Sequence, residues 1–143
     1  NPYRRLCPGG LAPTNVAWGY QNRTAAVRIP AGTHAARRIE HRVAGSDANP
    51  YIVLAAILAG ALHGMDSRAK PPPPVAGNSH DEDREAIARD WRQALERFSA
   101  SGEVKALLNP EFVDAFRACK QQEQDGFGRH ISAFELATYR LSV

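Results

Sequence analysis

The chain has 143 residues, of which 43% are hydrophobic and 23% charged, and these proportions fit one globular domain rather than a disordered segment. Its net charge of +3 and its lack of a basic run interleaved with aromatic residues argue against a nucleic-acid-binding protein. The longest apolar run, residues 51–62, falls short of the ~20 residues of a membrane helix. The two cysteines fit no metal or redox spacing. We therefore expect a cytoplasmic protein that binds neither nucleic acid nor membrane.

The first predicted elements are two short strands. They cover residues 24–29 and 37–43, and a proline or a glycine follows each of them. Because alternate side chains of a strand share a face, His41 falls on the same side as Ile39 and Val43. We therefore expect His41 to be a core or edge histidine rather than a ligand.

A long helix is predicted after the strands. Asn49 is a favourable residue just before a helix, and Pro50 suits the first helical position because its missing N–H is not needed there. Apolar residues then surround nearly the whole circumference as far as Leu62. This pattern predicts a buried central helix.

A proline-rich segment separates this strand-rich half from the helices that follow. Residues 71–74 are all proline and favour the extended polyproline II conformation, which indicates a stiff surface connector. The predicted fold is an α+β fragment with a few antiparallel strands and the buried helix in residues 1–65. A linker in residues 66–82 and a helical C-terminal subdomain in residues 83–143 complete it.

Three helices are predicted in the C-terminal subdomain. Asn109 and Pro110 begin the second, and Ser132 with Glu135 forms a capping box at the start of the third. The first helix carries one apolar stripe of Ile87, Trp91, Leu95 and Phe98, and the second carries Phe112, Val113 and Phe116. We expect the third helix to bury Phe134, Leu136 and Tyr139.

Arginine is concentrated near the start of the chain, where its planar fork could bind carboxylates or phosphates through paired hydrogen bonds. On the second predicted strand, Arg38, Glu40 and Arg42 share a face. A carboxylate between two guanidinium groups stays ionised and could bind a divalent cation, while the arginines hold anionic substrate groups. The alternative interpretation is an exposed strand face with weak ion pairs.

The order of the motifs resembles the glutamine synthetase family. Residues 1–9, Asn-Pro-Tyr-Arg-Arg-Leu-Cys-Pro-Gly, are similar to the family's Asn-Ser-Tyr-Arg-Arg-Leu-x-Pro-Gly. The further motifs follow in the family's order: Ala12-Pro13, Trp18-Gly19, Asn22-Arg23-Thr24-Ala25, Arg28-Ile29-Pro30, Arg38-Ile39-Glu40-His41-Arg42 and Asp47-Ala48-Asn49-Pro50-Tyr51. The resemblance is to the C-terminal part of the catalytic domain and extends to the γ-glutamylputrescine and γ-glutamylpolyamine synthetase branch.

This resemblance implies an ATP-dependent ligase that joins glutamate to ammonia or an organic amine through γ-glutamyl phosphate. It also implies Mg²⁺ or Mn²⁺ as cofactor and a homo-oligomer. The implied roles are these: Arg5 grips the glutamate α-carboxylate, Arg23 bridges substrate and transferred phosphate, Arg28 and Arg38 bind nucleotide phosphates, Arg42 steadies the acyl phosphate, and Glu40 is a metal ligand.

Two departures from the family pattern affect these expectations. Leu11 stands where the family's flap carries a glutamate. The family's N-terminal domain and most of its metal ligands have no counterpart in the 143 residues, so we expect a piece of a longer protein that is inactive by itself. The alternative is a non-catalytic anion-binding or assembly module derived from the same family.

Overall fold

The computed structural model describes residues 2–141; Asn1, which opens the motif at 1–9, and the last two residues lie outside that range. The chain forms two compact units, Asn1–Ala94 and Leu95–Val143. The first unit contains the strands, the long helix and the whole proline-rich segment. The second unit is helical.

A small mixed sheet organises the first unit. Its strands are β1 (Trp18–Tyr20), β2 (Val27–Ile29) and β3 (Glu40–His41), arranged in the order β1-β2-β3. The pair β2–β3 is antiparallel as expected, but β1 and β2 are parallel, so the expectation of antiparallel strands is wrong for that pair. The reason is the loop between them: Gln21 adopts a left-handed φ of 55°, and the chain returns to the start of β1, where the amide of Ala26 donates to the carbonyl of Ala17.

The long helix α1 spans Pro50–Asp66, and its predicted start is confirmed. The side-chain oxygen of Asn49 accepts hydrogen bonds from the amides of Tyr51 and Ile52 at 3.0 and 3.3 Å. The expected burial is wrong, because the other elements of this chain leave its apolar side chains uncovered. The exposed ones include Tyr51, Leu54, Leu58, Leu62 and Met65.

The proline-rich segment is packed along β1 within the first unit. The indole Nε1 of Trp18 donates to the carbonyl of Pro72 at 2.7 Å, and the amide of Val75 donates to the carbonyl of Trp18 at 2.8 Å. Val75 is buried with Ala17 and Ala25 in a small apolar cluster. Prolines have carbonyls but no N–H groups, so their carbonyls accept hydrogen bonds from side chains of the folded unit.

The helices that follow are bounded largely by their caps. They are α2 (Trp91–Ala100), α3 (Gly102–Leu108), α4 (Pro110–Arg129) and α5 (Ala133–Tyr139). The predicted cap at Asn109 and the capping box of Ser132 with Glu135 are confirmed. Ile87, expected on the first of these helices, precedes it, because its amide is taken by the carbonyl of Thr14 at 3.1 Å. No helix among residues 2–141 is long and apolar enough to cross a bilayer.

Aromatic packing forms the centre of the second unit. The ring of Phe116 lies 5.3 Å from that of Phe98 and 5.8 Å from that of Phe112, measured between centroids, and Val113 is fully buried beside them. The apolar residues of α5 are exposed instead of buried as expected: Phe134, Leu136 and Tyr139. A capping box determines where a helix begins, but it does not supply a surface against which the helix can pack.

Candidate active site

The register of β2 and β3 brings two of the predicted site residues together. Arg28 and Glu40 are cross-strand partners, and Nη1 of the arginine lies 2.9 Å from Oε2 of the carboxylate. Directly opposite side chains of an antiparallel pair project on the same face. Nη2 of Arg38 approaches the other oxygen, Oε1, at 3.3 Å. The side chain of Arg28 is 17% exposed and that of Arg38 is 56% exposed, so the carboxylate has one enclosed and one solvated partner.

These contacts lower the pKa of Glu40. The hydrogen bond from Arg28 is the largest cause, and the positive charges of Arg28 and Arg38 act in the same direction, while desolvation acts against them. The second terminal nitrogen of Arg28 donates to Oε1 of Gln21 at 3.0 Å. Glu40 is therefore an ionised carboxylate at neutral pH, held by a guanidinium that is itself oriented by a neighbouring amide.

The side chain of Arg42 is not part of the ion-pair cluster of Arg28, Glu40 and Arg38 and instead contacts two loops. Its amide continues the ladder by donating to the carbonyl of Ala26 at 2.8 Å. Its Nη2 donates to the carbonyl of Leu11 at 2.9 Å and to that of Arg23 at 2.7 Å. Of the strand face predicted from the sequence, Arg38 and Glu40 make direct contact, whereas Arg42 joins the loop of Leu11 to the loop of Arg23.

Arg5 contacts the backbone of Arg42 and of the two residues that follow it. It belongs to a 3-10 turn, Pro2–Arg5, and its two terminal nitrogens donate to the carbonyls of Arg42, Val43 and Ala44 at 2.9 to 3.2 Å. An open cleft of about 320 Å³ lies here, lined by Arg5, Gly10, Leu11, Ala12 and Arg42. Gly9 has a φ of 86°, a conformation that glycine adopts without strain, and it turns the chain just before this loop.

Arg23 carries an exposed side chain between two residues that are fixed by hydrogen bonds. The side-chain amide of Asn22 donates hydrogen bonds to the carbonyls of Val75 and Gly77, which follow the prolines. Thr24 forms hydrogen bonds with both Asn22 and Ser79. Sequence reasoning missed this support. An Asn whose side chain accepts from the amide two residues later is a known turn pattern, so Asn22 and Thr24 were detectable. No local pattern indicates Ser79, which comes from a distant part of the chain.

The part of the chain that the structure describes does not form a metal centre by itself. It contains no grouping of three or more His, Cys, Asp or Glu side chains suited to hold a metal ion. Both carboxylate oxygens of Glu40 already accept from arginines. A divalent cation needs several oxygen ligands, so Glu40 alone does not fit one.

Comparison with known proteins gives the family. The family model for the glutamine synthetase catalytic domain matches residues 1–139. The chain is 40% identical over 136 residues to gamma-glutamylputrescine synthetase PuuA of Escherichia coli (strain K12), covering 95% of this chain and 29% of that protein. It is 39% identical over 144 residues to type-1 glutamine synthetase 2 of Dictyostelium discoideum, covering 97% of this chain and 27% of that protein.

The likeness in fold extends over the same length of chain. A solved structure described as apo GmaS without ligand superposes with a TM-score of 0.78 at 28% identity, covering 97% of this chain and 32% of that one. The chain spans less than a third of the length of each of these three proteins. With nearly all of its length matched in both sequence and fold, the chain belongs to the glutamine synthetase catalytic-domain family.

Proposed function

We propose that this chain is the C-terminal catalytic portion of an ATP-dependent ligase that joins glutamate to ammonia or an organic amine. The observation that carries the proposal is the ion-pair cluster of Arg28, Glu40 and Arg38, built on the β2–β3 register. Phosphoryl transfer depends on positioned positive charge around the phosphate oxygens, and this cluster holds two guanidinium groups in place by hydrogen bonds to one carboxylate.

The proposed reaction has two steps. A γ-carboxylate oxygen of glutamate attacks the γ-phosphorus of ATP, and ADP leaves, which yields γ-glutamyl phosphate. The nitrogen of ammonia or the amine then attacks the acyl carbon, the phosphate leaves, and the amine nitrogen loses a proton. Arg28 and Arg38 would bind nucleotide phosphates, Arg23 and Arg42 the transferred phosphate, and Arg5 the α-carboxylate of glutamate.

The proposal includes Mg²⁺ or Mn²⁺, with ATP as co-substrate, in a homo-oligomer. Since Glu40 does not fit a metal alone, the remaining ligands would come from outside this chain. The oxygen that Glu40 would offer is Oε1, because its partner Arg38 is exposed and lies at the longer distance of 3.3 Å. Oε2 would stay with Arg28 at 2.9 Å.

Leu11 supports an organic amine over ammonia as the second substrate. Its side chain is exposed and lines the cleft next to Arg42. Leucine has no titratable group with which to attract ammonium or take a proton from it. It offers an apolar wall, and burying a methylene group of an amine is worth about 0.8 kcal/mol.

The test uses the full-length protein with glutamate, ATP and Mg²⁺. Ammonium, putrescine and ethanolamine are supplied separately, and phosphate release is measured together with the mass of the γ-glutamyl product. We expect amine-dependent release that Glu40→Gln lowers by about tenfold or more, since it removes the carboxylate that pairs with Arg28 and Arg38 and that would bind the metal. The matched control is Glu123→Gln, which breaks a surface pair with Lys120 at 2.8 Å in the second unit and should leave the rate unchanged.

The second candidate is a non-catalytic anion-binding or assembly module. It is favoured by Arg5 and Arg42, whose terminal nitrogens donate to backbone carbonyls and so hold loops together instead of being directed only at a substrate. In that case the full-length protein would bind ATP without glutamate-dependent phosphate release. For the 143-residue chain alone we propose no turnover in either case, since catalysis by a metal needs a complete ligand set. Phosphate release by the isolated chain above a Glu40→Ala control would refute that.

A further inference from the structure

We infer that Thr24, held between Asn22 and Ser79, is a positioning residue for Arg23. This inference rests on the proposed function, in which Arg23 contacts the transferred phosphate. The three supporting side chains touch no reacting group themselves; they form a hydrogen-bonded anchor beneath the loop that carries the arginine. The anchor joins this loop to a part of the chain more than fifty residues later.

Asn22 uses its whole hydrogen-bonding capacity in the anchor. Its Nδ2 donates to the carbonyls of Val75 and Gly77 at 3.0 and 2.8 Å. Its Oδ1 accepts from the amide of Thr24 at 3.0 Å and from the hydroxyl of the same residue at 2.7 Å. An amide side chain offers two donors and an acceptor oxygen with two lone pairs, so the buried Asn22 leaves nothing unsatisfied.

Thr24 links this amide to Ser79. Its Oγ1 donates to Asn22 and accepts from the amide of Ser79 at 2.9 Å. The hydroxyl of Ser79 returns to the carbonyl of Thr24 at 2.6 Å, and the carbonyl of Ser79 accepts from Nδ2 of Asn15 at 2.6 Å. Ser79 is fully buried, so each lost bond would leave a polar group without water to replace it.

The effect of the anchor falls on Arg23. The residues before and after it are fixed by these bonds, and its own carbonyl accepts from Nη2 of Arg42 at 2.7 Å. Its side chain is exposed, and among residues 2–141 the guanidinium has no hydrogen-bond acceptor. The backbone of Arg23 is therefore held by the bonds of its two neighbours and of its own carbonyl, while its guanidinium is available to a ligand.

Such an arrangement is typical of preorganised sites. A charged group stabilises a transition state best when its direction is set in advance, and a displacement of about 1 Å can lower a rate by about a hundredfold. A valine at position 24 keeps the shape of threonine but neither donates to Asn22 nor accepts from Ser79. The loop would then keep the bond from the hydroxyl of Ser79 to the carbonyl of residue 24 but lose both bonds of the Thr24 hydroxyl, and the range of directions open to Arg23 would widen.

The experiment compares variants of the full-length protein in the ligase assay. Thr24→Val should lower kcat by about 10- to 100-fold and change the KM for ATP and glutamate by no more than about twofold. Thr24→Ser keeps the hydroxyl and should stay within about twofold of the unchanged protein in both constants. The stability control is Ser101→Ala, which removes a helix-capping hydrogen bond in the second unit and should lower Tm without changing kcat.

A double-mutant cycle separates positioning from general damage. If Thr24 acts through Arg23, then Thr24→Val should cause no further loss of kcat in an Arg23→Ala background. If the fold-losses of kcat in Thr24→Val and Arg23→Ala multiply in the double variant, the two residues act independently and the inference is overturned. So would an unchanged kcat in Thr24→Val alone.

Failure of the proposed function gives a different result. A full-length protein with no ligase activity under any amine contradicts that function, and the anchor is then judged by amide hydrogen exchange at residues 23–26. Thr24→Val should raise exchange there by about tenfold or more, and Thr24→Ser should not. Equal protection in both variants would reject the anchor itself.

Discussion

Arg28 and Glu40 face each other across β2 and β3, and their side chains meet at 2.9 Å. A shift of the register by one residue would place them on opposite faces of the sheet. The ion pair between Arg28 and Glu40 therefore exists only if β2 and β3 are paired in this register, and its loss at neutral pH would indicate a change of register. The contacts with the arginines also lower the pKa of Glu40, which determines the pH range in which the ion pair is lost.

Acid should weaken the first unit through this pair. The pKa of Glu40 is lowered from its usual value near 4.5, with the hydrogen bond from Arg28 as the main cause. The folded-state pKa lies below the unfolded one, so the pair stabilises the fold above pH 4.5 and this contribution is lost as pH falls through the lower, folded-state value. Urea unfolding at a series of pH values should show a fall in stability below 4.5 that Glu40→Gln reduces. The same slope in that variant and in the unchanged protein would contradict the pairing.

Arg42→Lys in the full-length protein should lower kcat by about tenfold or more and raise KM by less. The Nη2 of Arg42 bonds to the carbonyls of Leu11 and Arg23 at once. Lysine has a single terminal nitrogen in place of the planar fork, so it cannot hold both loops and also offer a second nitrogen to the phosphate. Steady-state kinetics with varied glutamate and ATP give both constants. Arg117→Lys, at an exposed position of α4, is the control and should change neither. A rise in KM alone would assign Arg42 to ground-state binding.

Under the proposed function, Leu11→Glu should move the specificity of the full-length protein toward ammonium and away from organic amines, by about tenfold in the ratio of the kcat/KM values. The carbonyl of Leu11 stays bonded to Arg42, so the change affects the cleft without releasing the loop. Leu11→Gln has the same length without the charge and should lower amine use without improving ammonium use. Competition between ammonium and putrescine measures the ratio; a better ratio for ammonium in the unchanged protein would count against the apolar wall.

Gly19→Ala should destabilise the protein by about 1–3 kcal/mol, the usual cost of overpacking. A Cβ at this position would collide with the carbonyl oxygen of Val75 and lie 3.1 Å from the Cβ of Asn22. The matched control is Gly77→Ala, where an added Cβ meets nothing within 4 Å. That variant should be neutral or more stable by up to about 1 kcal/mol. Urea unfolding compares the two, and equal stabilities would mean that the proline-rich segment does not lie against β1.

Asn109→Ala should cost about 1 kcal/mol, whereas Asn109→Gly should cost only a few tenths. This residue ends α3 with a φ of 70° and begins α4, where its side-chain oxygen accepts from the amide of Glu111 at 2.8 Å. Alanine loses the cap and is strained at positive φ, while glycine loses the cap but is not strained. Thermal unfolding should rank the stabilities in the order Asn, Gly, Ala. The reverse order of the two variants would show that the backbone conformation is not maintained.

Local sequence determined the starts of the helices and the identity of the charged groups. Asn49, Asn109 and Ser132 cap the helices that they were expected to cap, because a cap depends on a side chain and the next three amides. The motif order also indicated the family, which the family model and the relatives confirm.

Tertiary structure decided what each of these elements touches. The apolar circumference of α1 predicted burial, yet Leu58 is 61% exposed, since burial depends on whether another surface covers the helix. The proline-rich segment lies against Trp18, and Arg42 departs from the strand face that it shares in sequence with Glu40. Periodicity gives the direction of a side chain on its own element, but contacts such as Thr24 with Ser79 join distant segments, and only the folded chain brings those together.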